Sequence, residues 1–320
     1  MRNPVHRRAL LAAPALLALP AIAQTAWPDR PVRVIVPFAP GGPTDQLARQ
    51  AARDLSSRLG QPFVVENRPG AGANIGIGQA ARATPDGTTL LFVSAAIAIN
   101  PSLYAQVPYD LARDLIPVTR VATSFNIIAS RPDRPFQDIA GLVTAARARP
   151  GALTYSSPGI GTSPHLAMEM LKQRANIDIL HVPFNGAAPA VQAALGGQVD
   201  MVSSSLPVAQ AHVAAGTLRG LAVTGPVAIG GVPSLVEQGF AGLVSDNFQA
   251  FFAPAGTPEP IIARLHASLR AWVAEPDTVA AMERQGFSII ADSPADFATA
   301  LRAEQAVWAA VVRAGGIRAE

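Results

Sequence analysis

From Val32 onward, short β-branched runs alternate with Ala- and Leu-rich stretches of helical length. Such alternation is the mark of βαβ units and predicts an α/β fold built on largely parallel sheet. Strands are expected at Val32–Val36, Phe63–Glu66, Thr89–Val93, Ile127–Ala129, Leu153–Ser156, Ile179–Val182, Asp200–Ser203, Gly220–Thr224 and Phe248–Phe252. Helices are expected at Thr44–Leu59, Ile75–Arg82, Ile139–Arg149, Ser163–Gln173, Ala188–Leu195, Pro260–Trp272, Asp277–Gln285 and Phe297–Ala314. Capping residues support several of these helices. Thr44 or Asp45 suits an N-cap before Leu47, Gly60 a stop after Leu59, and Ser163-Pro164 a cap followed by proline at the first helical position.

Two extended stretches break the simple repetition: Pro117–Ile128 ("PVTRVATSFNII") and Ser245–Pro254 ("SDNFQAFFAP"). The chain between them has its own strands and helices, enough for a domain of ~120 residues. A chain that leaves one α/β domain, builds a second and returns has the topology of a two-lobed hinge protein. The expected division is residues 24–125 and 246–320 in one lobe and 126–245 in the other.

Composition limits the function. Arg2, Arg7 and Arg8, an apolar stretch from Ala9 to Leu19 and the small-residue site Ala21-x-Ala23 read as a secretory signal over residues 1–23. Cleavage near Ala23 and a periplasmic location follow, and Arg7-Arg8 leaves both the general secretory and the twin-arginine routes open. The apolar stretch is shorter than the ~18 residues a membrane span needs, and Pro14 and Pro20 interrupt it. The pI near 9.9 is misleading, because removing Met1–Ala23 takes three arginines and no acid, leaving 22 basic against 22 acidic residues. Lys172 is the only lysine and the arginines are scattered, so nucleic acid is not an expected partner. The chain has no cysteine, hence no disulfide and no thiolate metal site.

Three glycine-bearing turns stand out: Ala39–Thr44 ("APGGPT"), Pro69–Asn74 ("PGAGAN") and Ser157–Ser163 ("SPGIGTS"). The first and third each follow a strand and end at a hydroxyl-bearing helix start. Unpaired backbone N–H groups and the positive helix end then face the region above the strand ends, where open α/β sheets bind ligands. The spacing of Gly70, Gly72 and Gly76 misses the dinucleotide pattern, and no phosphate-binding loop motif exists. Neither a G-x-S-x-G elbow nor an H-E-x-x-H motif is present, so neither catalysis nor metal or cofactor binding is expected. Ser163 and His165 are near in sequence, but two residues apart on a helix they do not face each other. Capture of a small anion between lobes remains. A charge-assisted hydrogen bond contributes ~1.5–3 kcal/mol and a helix end ~0.3–1. A handful, less the entropy of immobilisation, reaches the ~8 kcal/mol of a micromolar site without any arginine.

The ordered segments "WPDRPVRVIVPFAPGGPTDQLAR", "LGQPFVVENRPGAGANIG", "TPDGTTLLF", "INPSLY", "VPYD", "GALTYSSPGIGTSPHLAMEML", "HVPFNGAAPAVQAALGGQVDM", "LRGLAVTG" and "APAGTP" run through nearly the whole chain after residue 23. Together they resemble the extracytoplasmic receptors of tripartite tricarboxylate transporters, the Bug family. The resemblance implies a two-lobed Venus-flytrap periplasmic binding protein, type II-like, with two hinge crossover strands. It also implies a small carboxylate ligand and a membrane transporter of one large and one small subunit as partner. The receptor itself is expected to be monomeric and without cofactor.

The family pattern places ligand contacts in the first turn, here Phe38, Ala39, Gly41, Gly42 and Thr44. It places others in the second-lobe turn, here Ser157, Gly159, Gly161, Thr162 and Ser163, with more at Ser94, Asn185 and Ser204. The sequence departs from the pattern at Phe184-Asn185, where Tyr with Lys or Arg is common, and at Ser204-Ser205, where Asp-Asn is frequent. Phe248 stands where Trp is usual. These changes make the far end of the pocket neutral and polar and favour a monocarboxylate, unless Arg131 or another arginine enters from elsewhere. Two rivals to a transport receptor stay open: a periplasmic sensor feeding a two-component kinase, and a hydrolase using Ser or His in the same cleft.

Overall fold

The computed structural model describes residues 27–319, so the expected signal segment lies outside the described residues. Ten strands are formed among them: β1 (Val32–Val36), β2 (Phe63–Asn67), β3 (Thr89–Ser94), β4 (Leu115–Ser130), β5 (Thr154–Ser157), β6 (Leu180–Pro183), β7 (Met201–Ser205), β8 (Arg219–Val223), β9 (Asp246–Pro254) and β10 (Ser288–Ile289). The helices are α1 (Pro43–Leu59), α2 (Asn74–Ala81), α3 (Ala96–Leu103), α4 (Leu111–Asp114), α5 (Ile139–Ala148), α6 (Ser163–Ala175), α7 (Ala187–Leu195), α8 (Leu206–Ala214), α9 (Glu259–Val273), α10 (Pro276–Arg284) and α11 (Pro294–Gly315).

β1 pairs in parallel with β2 and β3, and β9 closes this sheet by running antiparallel to β3. A second sheet has β5 parallel to both β6 and β7. The two are joined by β4, a single 16-residue strand. Its first part, through Phe125, pairs with β9, and from Asn126 onward it pairs with β7 and β8. The return passes through Thr224, whose N–H donates to the Asn126 carbonyl, and Ser245, whose N–H donates to the Thr224 carbonyl. The two extended stretches therefore lie side by side at the crossover, as the two-lobed hinge reading expects.

Each sheet has helices on both faces. Leu47, Ala48, Ala51 and Leu55 of α1 recur at helical spacing and bury against Val32, Val34 and Val36 of β1. Gly60 then ends the helix in the left-handed region, with its N–H on the Ser56 carbonyl. α3 packs on the opposite face, where Ile97 and Ile99 meet Ile35, Leu91 and Val93. In the second sheet, Met168 and Leu171 of α6 cover one face with Tyr155 and Met201, while Leu206 and Ala209 of α8 cover the other with Val202. Neighbouring strands thus send their helices to opposite faces, β1 against β3 and β5 against β7. Open α/β sheets bind ligands at the carboxyl ends of such a pair, and each lobe has one such pair. The two halves share this topology although the sequence shows no internal repeat.

The structure corrects several sequence-based boundaries. α1 begins at Pro43 with Gly42 as N-cap, and α6 begins at Ser163 with Thr162 as N-cap, so Ser163 lies inside the helix. α3, α4, α8 and the short β10 were not anticipated. Ala96–Ile99 is an unbroken apolar run and Pro101 follows soon after, so the helical period is hidden, and Leu206-Pro207 reads as the tail of a strand.

Candidate functional site

The first turn is fastened from below by one carboxylate. Asp45 Oδ2 accepts from the Gly41 N–H at 2.9 Å and from Arg49 Nε at 3.0 Å. Asn67 Nδ2 donates to Asp45 Oδ1 at 2.8 Å and to the Phe38 carbonyl at 3.0 Å. Burial pushes the Asp45 carboxyl up, but hydrogen bonds from Arg49, Gly41 and Asn67 outweigh it and hold the group below the usual carboxylate range. The first backbone N–H of α1 bonded back into the helix is that of Gln46, to Gly42. The N–H groups of Thr44 and Asp45 precede it and point forward with the helix dipole. Gly41 has φ +87, which a side chain would strain.

The second turn rests on a buried polar cluster. The Gly161 N–H donates to His165 Nδ1 at 3.0 Å, and the Gly159 N–H to Ser157 Oγ at 3.2 Å. Ser157 Oγ is also 2.7 Å from His181 Nε2. The His165 and His181 rings stack with centroids 4.1 Å apart, and Tyr155 stacks on His181 at 4.7 Å. Behind them Tyr155 Oη and Lys172 Nζ both donate to Glu169, each at 2.8 Å. Burial, aided by the Lys172 charge, lowers the His165 pKa to about 4. Burial and then His165 lower that of His181 to about 3, so both rings are neutral near pH 7.

These contacts revise the expected donor set. The N–H groups of Gly41, Gly159 and Gly161 are already bonded within the chain, as is that of Thr162, to the Gly159 carbonyl. In the first turn of α6 the earliest N–H bonded back into the helix is that of Leu166, to Thr162, and Pro164 has none. The forward-pointing donors are therefore those of Ser163 and His165. Gly41, Gly159 and Gly161 shape the turns, while Gly42 at the N-cap of α1 and the residues just inside the helices carry the available N–H groups.

Ser163 also ties the turn to the crossover. Its Oγ donates to Asn126 Oδ1 at 3.3 Å, Asn126 Nδ2 donates to Ser245 Oγ at 3.2 Å, and the Asn126 N–H donates to Thr224 Oγ1 at 2.9 Å. The second turn faces the first lobe closely, since a Cβ on Gly161 would overlap Leu103 of α3. Leu166 of α6 joins the first lobe's core for the same reason.

The other expected residues are placed unevenly. Ser94 is buried at the end of β3, directly opposite Gln249 of β9. Phe38 is half-buried against both cores of the first lobe, and Ala39 is exposed. Asn185 is exposed, and its loop is held beside the second turn by Phe184 N–H to the Ser157 carbonyl at 3.0 Å and Gly186 N–H to the Pro158 carbonyl at 3.1 Å. Ser204 is buried and its Oγ has no partner among the described residues. It lies on the face under α7 and α8, whereas Ser203 Oγ donates to the Pro164 carbonyl on the α6 face at 2.7 Å. Arg131 pairs with Asp133 at 2.8 Å, beyond the end of β4 where Ser130 meets Met201, so it does not approach the turns. Phe248 packs on Phe297 in the core rather than toward the turns.

Asp45 was expected only as a helix cap, and Asn67, Asn126 and Gln249 were not anticipated. Only Asp45 left a signal in the sequence, through its i, i+4 relation to Arg49. Ser157 and His181 form a hydrogen-bonded pair, but it lacks the features of a hydrolytic dyad. The serine is fully buried and the imidazole, with a pKa near 3, is too weak a base. Among the described residues no group of His, Cys, Asp and Glu is placed to hold a metal.

Comparison with known proteins identifies the family. Residues 47–317 match the model of the TctC family, described as the tripartite tricarboxylate transporter family receptor. The chain is 37% identical over 287 residues to a protein encoded in the tcbD-tcbE intergenic region of Pseudomonas sp. (strain P51), covering 88% of this chain and 85% of that one. It is 34% identical over 307 residues to protein BugT of Bordetella pertussis, covering 94% of each. Among solved structures, Rpa4515 of R. palustris with adipate superposes with a TM-score of 0.85 at 32% identity, covering 91% of this chain and 99% of that one. MatC of Rhodopseudomonas palustris with bound malate gives 0.79 at 29% identity, covering 89% and 100%. A two-lobed α/β scaffold with a donor-lined turn in each lobe, matched by the family model over most of its length, belongs to the TctC family: the chain is a periplasmic solute-binding receptor of the tripartite tricarboxylate transporter type, not an enzyme.

Proposed function

We propose that the receptor seats a carboxylate of its ligand between the first turns of α1 and α6. Thr44 and Asp45 N–H would bind from one lobe and Ser163 and His165 N–H from the other. The observation that carries this reading is the pairing of two strand–turn–helix units, one per lobe, in which the N–H groups of Gly41, Gly159 and Gly161 are bonded internally and the helix donors are directed outward. Neutral donors suffice, and the arginine that reaches the first turn, Arg49, is already matched by Asp45. Ser94, Asn185 and Ser204 would line the remainder of the pocket, which is polar and uncharged. The adipate and malate bound by the two relatives set the size of ligand to screen first; the neutral lining keeps monocarboxylates in the same screen.

The moving bodies would be residues 24–125 with 246–320, and 126–245, with β4 and the Thr224–Asp246 return as the hinge. The closed, loaded receptor would deliver its ligand to a membrane transporter of one large and one small subunit after export and cleavage near Ala23. A thermal-shift and calorimetric screen of mono- and dicarboxylates tests the reading. A true ligand at a hundred times its Kd adds ~2.7 kcal/mol of stability and is recovered unchanged; failure of every small carboxylate to bind, or its turnover, contradicts it.

A further inference from the structure

Gln249 is fully buried, and its side-chain carbonyl has no hydrogen-bond partner among the described residues. Its Nε2 lies 3.5 Å from the Asn247 carbonyl, which can only accept, so the amide is oriented with Oε1 pointing away from that contact. Gln249 sits at the carboxyl end of β3, directly opposite Ser94, and opposed residues of an antiparallel pair share a face. That face is the one under α1, because Phe251, two residues along, and Phe92, two residues before Ser94, both lie in the core beneath that helix. The unmatched carbonyl is therefore on the α1 face of the sheet at the carboxyl end of β3, the end where the first turn presents its N–H groups.

Folded proteins rarely leave a buried amide oxygen without a donor. Oε1 can only accept, so what satisfies it must donate, and a carboxylate cannot. A ligand ammonium would require a nearby carboxylate, and the one in this turn, Asp45, is already matched by Arg49, Gly41 and Asn67. Resting on the carboxylate seat proposed above, we propose that Gln249 is a specificity-determining residue that accepts a hydrogen bond from a ligand hydroxyl, so that the receptor selects hydroxy-carboxylates over their deoxy counterparts. A site built to bond a hydroxyl discriminates strongly against the analogue lacking it, because the buried acceptor is then left unpaired.

The test is calorimetric titration of the full-length mature receptor with matched pairs, malate against succinate and 2-hydroxyadipate against adipate, and aspartate as the amino analogue. Wild type, Gln249→Met and Gln249→Leu are compared, with melting temperatures to verify folding. The hydroxylated member is expected to bind at least about tenfold more tightly to wild type. The preference should fall to near unity in Gln249→Met while affinity for the deoxy acid is kept, a separation that a merely structural glutamine would not produce. Gln249→Leu serves the same purpose should Gln249→Met misfold. Binding of carboxylates without hydroxyl preference, a preference for aspartate, or a preference that survives both substitutions overturns the role of Gln249 and leaves the carboxylate seat standing. Absence of binding by every acid overturns both.

Discussion

Asp45 and Gly41 hold the first turn closed on itself: the carboxylate of the third residue of α1 reaches back to the backbone N–H of a glycine that sits at φ +87. The same carboxylate collects Arg49 and Asn67, so one side chain fixes the turn, the helix start and the end of β2 together. Asp45→Ala is expected to cost about 1–2 kcal/mol of stability and to weaken carboxylate binding roughly tenfold by loosening the turn. Asp45→Asn, which keeps an acceptor but not the charge, should fall between. Chemical denaturation and calorimetry on the three proteins check this ordering.

Gly161 meets Leu103 across the two lobes, at φ +76 and with no room for a methyl group. Gly161→Ala should therefore oppose closure. Ligand affinity is expected to fall at least about tenfold, with backbone strain of about 1 kcal/mol added to the steric conflict. In small-angle scattering the variant should remain extended at ligand concentrations that compact the wild type. Equal compaction of both proteins would contradict the close approach.

Glu304 of α11 accepts from Trp308 Nε1 at 3.1 Å. Burial raises its pKa to about 8, with Asp246 adding a repulsive contribution. Asp246 lies at the start of β9 beside the crossover, accepts from Thr123 Oγ1 at 2.8 Å, and is itself raised by burial. Between the ordinary value of 4.5 and about 8 the native state holds a proton that the unfolded chain has lost. Stability from this group is thus complete below 4.5 and is lost as pH rises toward 8. Glu304→Gln should be more stable than wild type at pH 8 by on the order of 1–3 kcal/mol, with little difference near pH 4. Melting curves across that range decide it.

The His165–His181 stack has the opposite sign. Both pKa values are depressed, to about 4 and about 3, so below the ordinary 6.5 the unfolded chain binds protons that the native state excludes. Stability from the pair is present above 6.5 and declines as pH falls toward 4. His165→Asn, whose Oδ1 can replace Nδ1 as acceptor for Gly161, should retain ligand binding. His165→Leu should lose about 1 kcal/mol or more from an unpaired Gly161 N–H and bind more weakly. Calorimetry at pH 7 separates the two variants, and equal binding by both would contradict the positioning of Gly161 by this ring.

Much of the fold was legible because its signals are local. The β-branched run at Val32–Val36 and the i, i+4 apolar face of Leu47, Ala51 and Leu55 each declare one element without reference to anything distant. The crossover was visible as two extended stretches, although not as one uninterrupted strand from Leu115 to Ser130. The carriers of the candidate site were legible as turns, but the identity of the donors was not. Whether Gly161 N–H faces a ligand or His165 depends on ring placement four residues along a helix, and Asn126, Ser163 and Ser245 meet only after the chain has crossed twice. Gln249 was hidden for the same reason, since its partner Ser94 is brought opposite only by the return strand.

A crystal structure of the receptor with a carboxylate identified by screening is the most direct measurement. Carboxylate oxygens are expected within about 3 Å of the Thr44 or Asp45 N–H on one side and the Ser163 or His165 N–H on the other, with no arginine bonded to them. A ligand gripped chiefly by arginine side chains, or bound away from both helix starts, would contradict the neutral, two-helix seat.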